Sequence, residues 1–146
     1  MRGCKADGCR IIATGEMGIG NTTTSAAMAA AMLRCDVATV TGRGAGLNDS
    51  GLEKKIRVIE SAIEKYDLYN KDTFEILMTV GGLDIAGLVG VCIGGALYHI
   101  PVVLDGVISM VSALAAGRLL SGVTDFIIPS HEAGSLQWRF CVRHFP

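Results

Sequence analysis

The chain has 146 residues, which is long enough for one domain with a real core and too short for two. Half of the residues are apolar, the formal net charge is −1 and only 5% are aromatic, so the composition indicates neither a basic nucleic-acid-binding surface nor an acidic tail. We therefore expect a small-molecule partner and no nucleic acid.

The cysteines and the N-terminus indicate the cellular setting. The five cysteines form neither a CxxC pair nor a cluster with histidine at zinc spacing, so we expect reduced thiols and no metal. The N-terminus carries charges where a signal peptide needs an apolar core, so no export signal is visible and a cytoplasmic protein is expected. The uncharged stretch 85–98 contains four glycines and is shorter than the roughly 20 residues of a membrane helix. We interpret it as a buried helix rather than a membrane span.

Strand-like and helix-like segments alternate along the chain, which is typical of a parallel α/β sheet with helices on both faces. The apolar run Ile11 to Ala13 predicts a short buried strand. A glycine-rich loop at 15–20, GEMGIG, follows it. The Ala- and Met-rich segment Thr22 to Leu33 then predicts a helix that is apolar nearly all round, and we expect it to be sandwiched between other elements.

The loop at 15–20 lies at a strand-to-helix turn, where parallel sheets bind ligands. Its glycines allow backbone N–H groups to approach a phosphate, Asn21 or Thr22 can cap the next helix, and the positive end of that helix favours an anion. Glu16 is unfavourable beside a phosphate unless it accepts hydrogen bonds from a sugar. A plain glycine-rich turn without a ligand is the alternative.

A second glycine-rich stretch, GRGAG at 42–46, follows soon after the first, and we expect both to face one pocket. Val37 to Thr41, before it, predicts a short strand or an extended connection. Gly51 to Tyr66 is the clearest amphipathic helix. Lys55 lies on the flank of its apolar stripe, from where its ammonium could reach a phosphate held by the glycine turns. Spacing alone favours the other interpretation, a solvated lysine in a mixed-charge face.

Three further helices and two strands are predicted in the second half. A short helix ends at Gly81-Gly82, and a longer one spans 83–99, with four glycines that would let another helix or the sheet come close. Pro101 to Gly106 is the strongest strand prediction. A helix from Val107 to Leu120 follows, and Phe126 to Ile128 predicts the last strand.

Three polar side chains at element ends are additional site candidates. Asp105 follows a strand at its C-terminal end, where side chains line the ligand crevice of an open α/β sheet. Capping of the next helix is an equally good interpretation. Asp84 has the same ambiguity, and His131, just after the last strand, is placed to touch a ligand.

Missing parts of familiar motifs exclude several functions. The first loop lacks the Gly-Lys-Ser/Thr of a P-loop and reads GxxGxG rather than the dinucleotide GxGxxG, so neither ATP nor NAD is supported as a cofactor. No GxSxG elbow is present for a hydrolase triad. A phosphate-bearing sugar cradled by glycine turns remains the favoured ligand.

Five blocks of the sequence, taken in order, point to one family. They are GEMGIGNTT at 15–23, GRGAGL at 42–47 with Lys55 downstream, VGGLD at 80–84, LDG at 104–106 and PSH at 129–131. Together they closely resemble nicotinate-nucleotide:dimethylbenzimidazole phosphoribosyltransferases. The resemblance extends from about Ala6 to His131, so we divide the chain into a partial phosphoribosyltransferase domain, 1–131, and a divergent tail, 132–146.

The resemblance implies a cytoplasmic, usually homodimeric enzyme with a Rossmann-like parallel sheet, incomplete here relative to the family. Such an enzyme transfers the phosphoribosyl group of nicotinate mononucleotide to 5,6-dimethylbenzimidazole, releasing nicotinate and giving α-ribazole 5′-phosphate for the lower loop of cobalamin, without a metal or other cofactor. Carried over by motif, Gly18, Gly44 and Lys55 would hold the nucleotide phosphate, and Glu16 would lie against the ribose.

The sequence departs from this family in three respects. Family members carry an N-terminal region that helps to form the benzimidazole pocket, and a general-base glutamate in a later Gly-Glu-Gly segment. This sequence contains neither. The residues after His131 also lack the pattern that supplies a serine to the phosphate site. We therefore expect a fragment that binds a nucleotide phosphate weakly with little or no transfer. A non-catalytic phosphate-sugar binding module and a phosphoribosyltransferase with another acceptor base remain open as alternatives.

Overall fold

The computed structural model describes residues 1–130. The helices are α1 (Arg2–Ala6), α2 (Thr22–Leu33), α3 (Val37–Val40), α4 (Asp49–Tyr66), α5 (Thr73–Val80), α6 (Leu83–Tyr98) and α7 (Val107–Leu119). The strands are β1 (Ile12–Ala13), β2 (Val102–Leu104) and β3 (Ile127–Pro129), and two 3-10 turns lie at Leu68–Asn70 and Val123–Phe126. Apart from α1, which was not predicted, and α3, each helix and strand lies within a few residues of its predicted position.

The three strands form one parallel sheet in the order β1-β2-β3, which confirms the predicted parallel α/β class. Helices α2 to α6 connect β1 to β2, and α7 connects β2 to β3. Parallel pairing requires such long crossovers and brings the carboxyl ends of the strands to one edge. The loop after β1 and the residues after β2 therefore begin at the same edge of the sheet.

Strand β1 is more exposed than predicted. Ile11 lies outside the strand and is 57% exposed, and Ala13 is exposed as well. Ala13 pairs with Val103, so these residues share a face of the sheet, opposite to the face that carries the fully buried Val102 and Leu104. The prediction of a buried strand was wrong because β1 is an edge strand within the described residues, and this face is only partly covered.

Two apolar helices form the centre of the core. Residues 25–32 of α2 and 108–117 of α7 are all buried. Helix α2 packs against α4, α5 and α7, and α7 packs against α6. The predicted sandwiching of α2 is confirmed, and it is required because a helix without a polar face is stable only when it is covered on all sides. Full burial of Met28 or Met110 stabilises the fold by about 1.5–3 kcal/mol each.

Residues 37–40 form one helical turn, so the prediction of a strand or an extended connection was wrong. The Asp36 side chain accepts a hydrogen bond from the Ala38 N–H at 2.8 Å and starts the turn. The Thr41 hydroxyl donates to the Val37 carbonyl at 2.6 Å and closes it. Val37 and Val40 are then buried on one side. Local capping has overridden the strand propensity of the β-branched residues.

Helix α4 begins two residues earlier than predicted, because the Asn48 side chain caps it by accepting from the Gly51 N–H at 2.9 Å. Ile59 and Ile63 are buried, as the amphipathic pattern predicts. This packing directs the first turns of α4 towards the N-terminus of α2.

The predicted close approach at the glycines of α6 is correct for only two of them. A Cβ on Gly95 would lie 2.6 Å from Val102 Cγ2 and 2.9 Å from the Ile100 carbonyl, and one on Gly94 would collide with the Met1 side chain. Gly87 and Gly90 have nothing within 4 Å in the described structure. Only the C-terminal half of α6 therefore needs glycine for contact with the sheet and α1.

The Gly95→Ala variant is expected to lower the free energy of unfolding by about 1–3 kcal/mol, because the methyl group would overpack against β2. Gly90→Ala is the matched control in the same helix, and it should raise that free energy by about 0.5–1 kcal/mol through helix propensity alone. Urea unfolding followed by circular dichroism measures both. Equal stability of Gly95→Ala and the wild type would contradict this packing.

The thiols, the possible metal ligands and the apolar helices are described for residues 1–130. Cys4, Cys9, Cys35 and Cys92 are free thiols, and Cys141 lies outside the described residues. Burial raises the pKa of Cys92 to about 11. Within this range no cluster of three or more His, Cys, Asp or Glu side chains is arranged to hold a metal ion. None of the described helices has the length and apolar character needed to cross a membrane.

Candidate functional site

The two glycine-rich loops meet at the N-terminus of α2. Gly18 and Gly44 have φ values of +76° and +56°, a left-handed conformation that favours glycine. A cavity of about 440 Å³ and a neighbouring one of about 300 Å³ are both lined by residues from the two loops and by Thr22. The expectation that both loops face one pocket is confirmed.

Lys55 reaches the junction of these elements from α4. Its Nζ donates to the Gly42 carbonyl at 2.9 Å and to the Thr22 hydroxyl at 3.0 Å. The residue is only 7% exposed, so the interpretation of Lys55 as a solvated lysine was wrong. It is buried because α4 packs against α2, which covers the aliphatic stem and brings the ammonium to the first turn of α2.

The Lys55 ammonium has no carboxylate partner among residues 1–130. The ion pairs of that range are Arg43 with Asp49 and Lys71 with Glu75. Two of the three Lys55 N–H donors bond to uncharged oxygens, and burial lowers the pKa of the group. A buried cation is unfavourable unless it is paired, and the N-terminus of α2 adds positive potential. The positive potential where the Lys55 ammonium meets the N-terminus of α2 therefore favours the binding of an anion.

Affinity for a phosphate monoester such as ribose 5-phosphate is expected to fall at alkaline pH, starting below the pH at which an ordinary lysine deprotonates. An exposed lysine has a pKa of about 10.4, and burial lowers that of Lys55. In the ligand-free chain the Lys55 ammonium therefore deprotonates at a lower pH than an exposed lysine, and the positive charge that attracts the phosphate is lost. The bound anion raises the pKa again, so binding takes up protons in this pH window.

Titration calorimetry across alkaline pH, in two buffers that differ in ionisation enthalpy, measures both the affinity and the proton uptake. The phosphoryl group itself stays dianionic there, because its second pKa is about 6. An affinity that stays constant up to about pH 10 would show that the titrating lysine is not part of the site.

Glu16 and Gly18 contact each other in the first loop. The Gly18 N–H donates to the Glu16 carboxylate at 2.5 Å. The family resemblance implies that Gly18 is one of the residues that hold the phosphate. A phosphoryl group bonded to the Gly18 N–H would have to displace the Glu16 carboxylate.

Asn21 does not cap α2 with its side chain, contrary to the expectation. Its carboxamide is buried, and Nδ2 donates to Asp84 Oδ2 at 2.5 Å. This hydrogen bond is the main cause of the lowered pKa of Asp84, and desolvation opposes it. Asp84 lies in the first turn of α6 without capping that helix, because the N-cap is Gly82. The contact places Asp84 beside the start of α2.

The remaining candidates lie outside the two cavities or outside the described residues. Asp105 is exposed just after β2, and its backbone N–H donates to the Ser109 hydroxyl at 3.1 Å. The N-cap of α7 is Gly106, so Asp105 does not cap that helix. Asp105 lines neither cavity. His131 lies outside the described residues.

Sequence reasoning missed two residues of the site. Thr22 was considered only as a cap, yet its hydroxyl accepts from Lys55. Arg43 lines both cavities and donates to the Leu47 carbonyl and to Asp49. The position of Thr22 at the start of the helix could be predicted from the sequence, but its contact with Lys55, 33 residues later, could not.

Comparison with known proteins decides the family. The family model DBI_PRT, described as phosphoribosyltransferase, matches residues 1–145. The chain belongs to this phosphoribosyltransferase family. The resemblance seen in the five sequence blocks is confirmed.

Individual relatives of this phosphoribosyltransferase chain carry one name. The protein named nicotinate-nucleotide--dimethylbenzimidazole phosphoribosyltransferase from Clostridium perfringens is 42% identical over 139 residues, 95% of this chain and 38% of that protein. The protein of the same name from Geobacter metallireducens is 47% identical over 138 residues, 94% of this chain and 39% of that protein. The chain thus spans about two fifths of the length of these relatives.

A solved structure of the same family matches the fold. The crystal structure of CobT from Thermus thermophilus superposes with a TM-score of 0.91 at 30% sequence identity. The match covers 99% of this chain and 43% of that chain. The α/β arrangement around the glycine loops is therefore that of a phosphoribosyltransferase.

Proposed function

We propose that this chain forms the nucleotide-phosphate-binding part of an enzyme that transfers the phosphoribosyl group of nicotinate mononucleotide to 5,6-dimethylbenzimidazole. The products are α-ribazole 5′-phosphate and nicotinate, in the assembly of the nucleotide loop of cobalamin. The relatives' name supports these substrates. The observation that supports the proposal most strongly is the buried Lys55 ammonium at the start of α2, which has no carboxylate partner among residues 1–130.

The proposed phosphoryl position lies between Lys55, the first turn of α2 and Gly44. Lysine and a helix N-terminus both favour a dianion, the first through charge-assisted hydrogen bonds and the second through its N–H groups. A Cβ at Gly44 would lie 2.9 Å from the Thr22 hydroxyl and 3.8 Å from Lys55 Nζ. Glycine at this position keeps the approach to both groups open.

Glu16 has a proposed role that depends on the phosphoryl group. When phosphate takes the Gly18 N–H, the displaced carboxylate becomes available to the ribosyl hydroxyls next to it. Asp84, Asp105 and His131 are proposed substrate contacts because of their positions at the ends of elements and within the matching blocks. The division of the chain at residue 131 also remains a proposal.

The transfer is a displacement at the anomeric carbon: an azole nitrogen attacks, nicotinate leaves, and a carboxylate removes the azole proton. The charged side chains of residues 1–130 that line the two cavities are Arg43 and Lys55, and neither is a carboxylate. The Glu16 carboxylate lies beside the cavities on the Gly18 N–H and has its proposed role at the ribose, so no carboxylate of this part of the chain lines either cavity to remove the azole proton. The observation favours a second candidate function for the isolated chain, binding of a phosphate sugar without turnover.

The purified 146-residue chain distinguishes these functions. Calorimetric titration with nicotinate mononucleotide should show binding, and chromatography after addition of dimethylbenzimidazole should show nicotinate only at the background level. Release of nicotinate that depends on dimethylbenzimidazole would overturn binding without turnover. Release that depends instead on another azole or a purine would identify a different acceptor. Absence of binding to any phosphate ligand would refute the whole proposal.

The family resemblance also supports a cytoplasmic homodimer for the whole enzyme, which we include in the proposal. Sedimentation velocity of a full-length relative beside this chain would measure the assembly directly.

A further inference from the structure

Ser25 places a buried hydroxyl without a partner on the wall of the larger cavity. The residue is 1% exposed, its Oγ is buried, and no hydrogen-bonding group of the described residues contacts it. It lines the cavity of about 440 Å³ together with the apolar side chains of Ala26, Ala29, Val40 and Val107. Buried hydroxyls are nearly always hydrogen-bonded, so this one needs an explanation.

The explanation lies in the preceding turn of α2. A serine inside a helix can donate to the carbonyl three or four residues earlier, which for Ser25 is that of Thr22 or Asn21. The Ser25 hydroxyl bonds to neither of them. The Asn21 carbonyl already accepts from the Ser25 N–H at 2.9 Å and from the Thr24 hydroxyl at 2.8 Å. Both of its lone pairs are occupied. Thr24 thus occupies the acceptor four residues before Ser25.

Ser112 in α7 shows the ordinary arrangement. It is also fully buried inside a helix, and its hydroxyl donates to the Ile108 carbonyl at 2.9 Å. Burial of a serine in this core therefore does not by itself leave the hydroxyl unpaired. The difference at Ser25 is the competing threonine beside it.

We propose that the Ser25 hydroxyl hydrogen-bonds a hydroxyl of the ribosyl group of the bound nucleotide. This inference rests on the proposed function. Ser25 lies three residues after Thr22 on the same face of α2, which places it roughly 5 Å further along the helix than Thr22, the residue beside the proposed phosphoryl position. The sugar is joined to the phosphoryl group through one ester oxygen, so a ribosyl hydroxyl is the polar group at that separation.

If Ser25 contacts the ribosyl group, its loss should weaken the binding of ligands that contain the sugar and leave the binding of inorganic phosphate unchanged. Titration calorimetry would compare inorganic phosphate, ribose 5-phosphate and nicotinate mononucleotide for the wild type, Ser25→Ala and the control Ser112→Ala. Loss of one ordinary hydrogen bond should weaken both sugar ligands about 3- to 10-fold in Ser25→Ala. The affinity for inorganic phosphate should not change, and Ser112→Ala should bind all three ligands like the wild type.

Thermal unfolding of the ligand-free variants supplies a second readout. Ser25→Ala removes a hydroxyl without a partner and should unfold no earlier than the wild type, whereas Ser112→Ala removes a hydrogen-bonded one and should unfold earlier. Earlier unfolding of Ser25→Ala would mean that the protein itself satisfies the hydroxyl, and it would overturn the inference.

The remaining outcomes are equally decisive. Unchanged affinity of Ser25→Ala for ribose 5-phosphate overturns the ribosyl contact, and an effect on nicotinate mononucleotide alone would assign the hydroxyl to the base. An equal loss with inorganic phosphate would assign it to the phosphoryl site. Failure of the wild type to bind any of the three ligands would instead overturn the proposed function.

Discussion

The Lys55→Met variant is expected to bind phosphate monoesters about 10- to 100-fold more weakly than the wild type. Methionine keeps the length and apolar character of the buried stem and removes only the ammonium. Lys55 as a residue is 7% exposed, and its ammonium bonds to Thr22 and Gly42 and has no carboxylate partner among residues 1–130. A hydrogen bond between charged groups is worth about 1.5–3 kcal/mol, which sets the expected range.

Thermal unfolding measures this loss without a catalytic assay. Ligand at 100 times its dissociation constant stabilises the folded chain by about 2.7 kcal/mol, which raises the melting temperature by roughly 8 °C at this chain length. At the same nicotinate mononucleotide concentration, Lys55→Met should show little of this rise. Lys54→Met is the matched control, because Lys54 is the exposed neighbour in the same helix. Equal ligand-induced rises for the two variants would show that charge near α4, and not the buried ammonium, attracts the ligand.

The second large effect is expected for Gly44→Ala, which should lower phosphate affinity at least about tenfold, since the lysine contact is worth about that much. The added methyl would lie 2.9 Å from the Thr22 hydroxyl and 3.8 Å from Lys55 Nζ. Because the Thr22 hydroxyl is a partner of Lys55, pushing it away also displaces the ammonium. The methyl would in addition lie within the proposed phosphoryl position.

Gly46→Ala separates this contact from backbone strain. Gly46 has a φ of +104°, so alanine is strained there as well, but its Cβ would meet nothing within 4 Å. Both variants should therefore lose about 1–2 kcal/mol of stability, while only Gly44→Ala should lose affinity. Calorimetry with ribose 5-phosphate tests this, and a similar loss in Gly46→Ala would mean that loop conformation alone controls binding.

Local sequence patterns predicted the elements that carry the site. The Ala- and Met-rich segment could only be a covered helix. Gly18 and Gly20 after β1, and Gly44 and Gly46 before α4, have the left-handed φ values that favour glycine. Convergence of the two loops followed from their closeness in sequence. The family resemblance required specific residues in five blocks, and the family model confirms it.

Patterns along the sequence could not predict contacts made across the fold. The burial of Lys55 depends on the packing of α4 against α2, and spacing within α4 alone favoured a solvated side chain. The Asn21 side chain bonds Asp84, 63 residues later in the sequence, instead of its own helix. Competition with Thr24 removes one local acceptor from the Ser25 hydroxyl, but that the hydroxyl is buried without a partner depends on the surrounding core.

Errors at α3 and β1 have a related cause. β-branched residues favoured a strand at 37–41, yet Asp36 provides a helix cap that a propensity scale does not weigh. Ile11 was expected to be buried because it is apolar, and its exposure depends on which face of the sheet is covered. Both outcomes are set by the neighbours of a segment rather than by its composition.

A crystal structure of the 146-residue chain bound to nicotinate mononucleotide tests the central claim most directly. We predict phosphoryl oxygens within about 3 Å of Lys55 Nζ and of N–H groups in the first turn of α2, with Gly44 alongside. A phosphoryl group bound elsewhere, with Lys55 still bonded only to Thr22 and Gly42, would contradict the account.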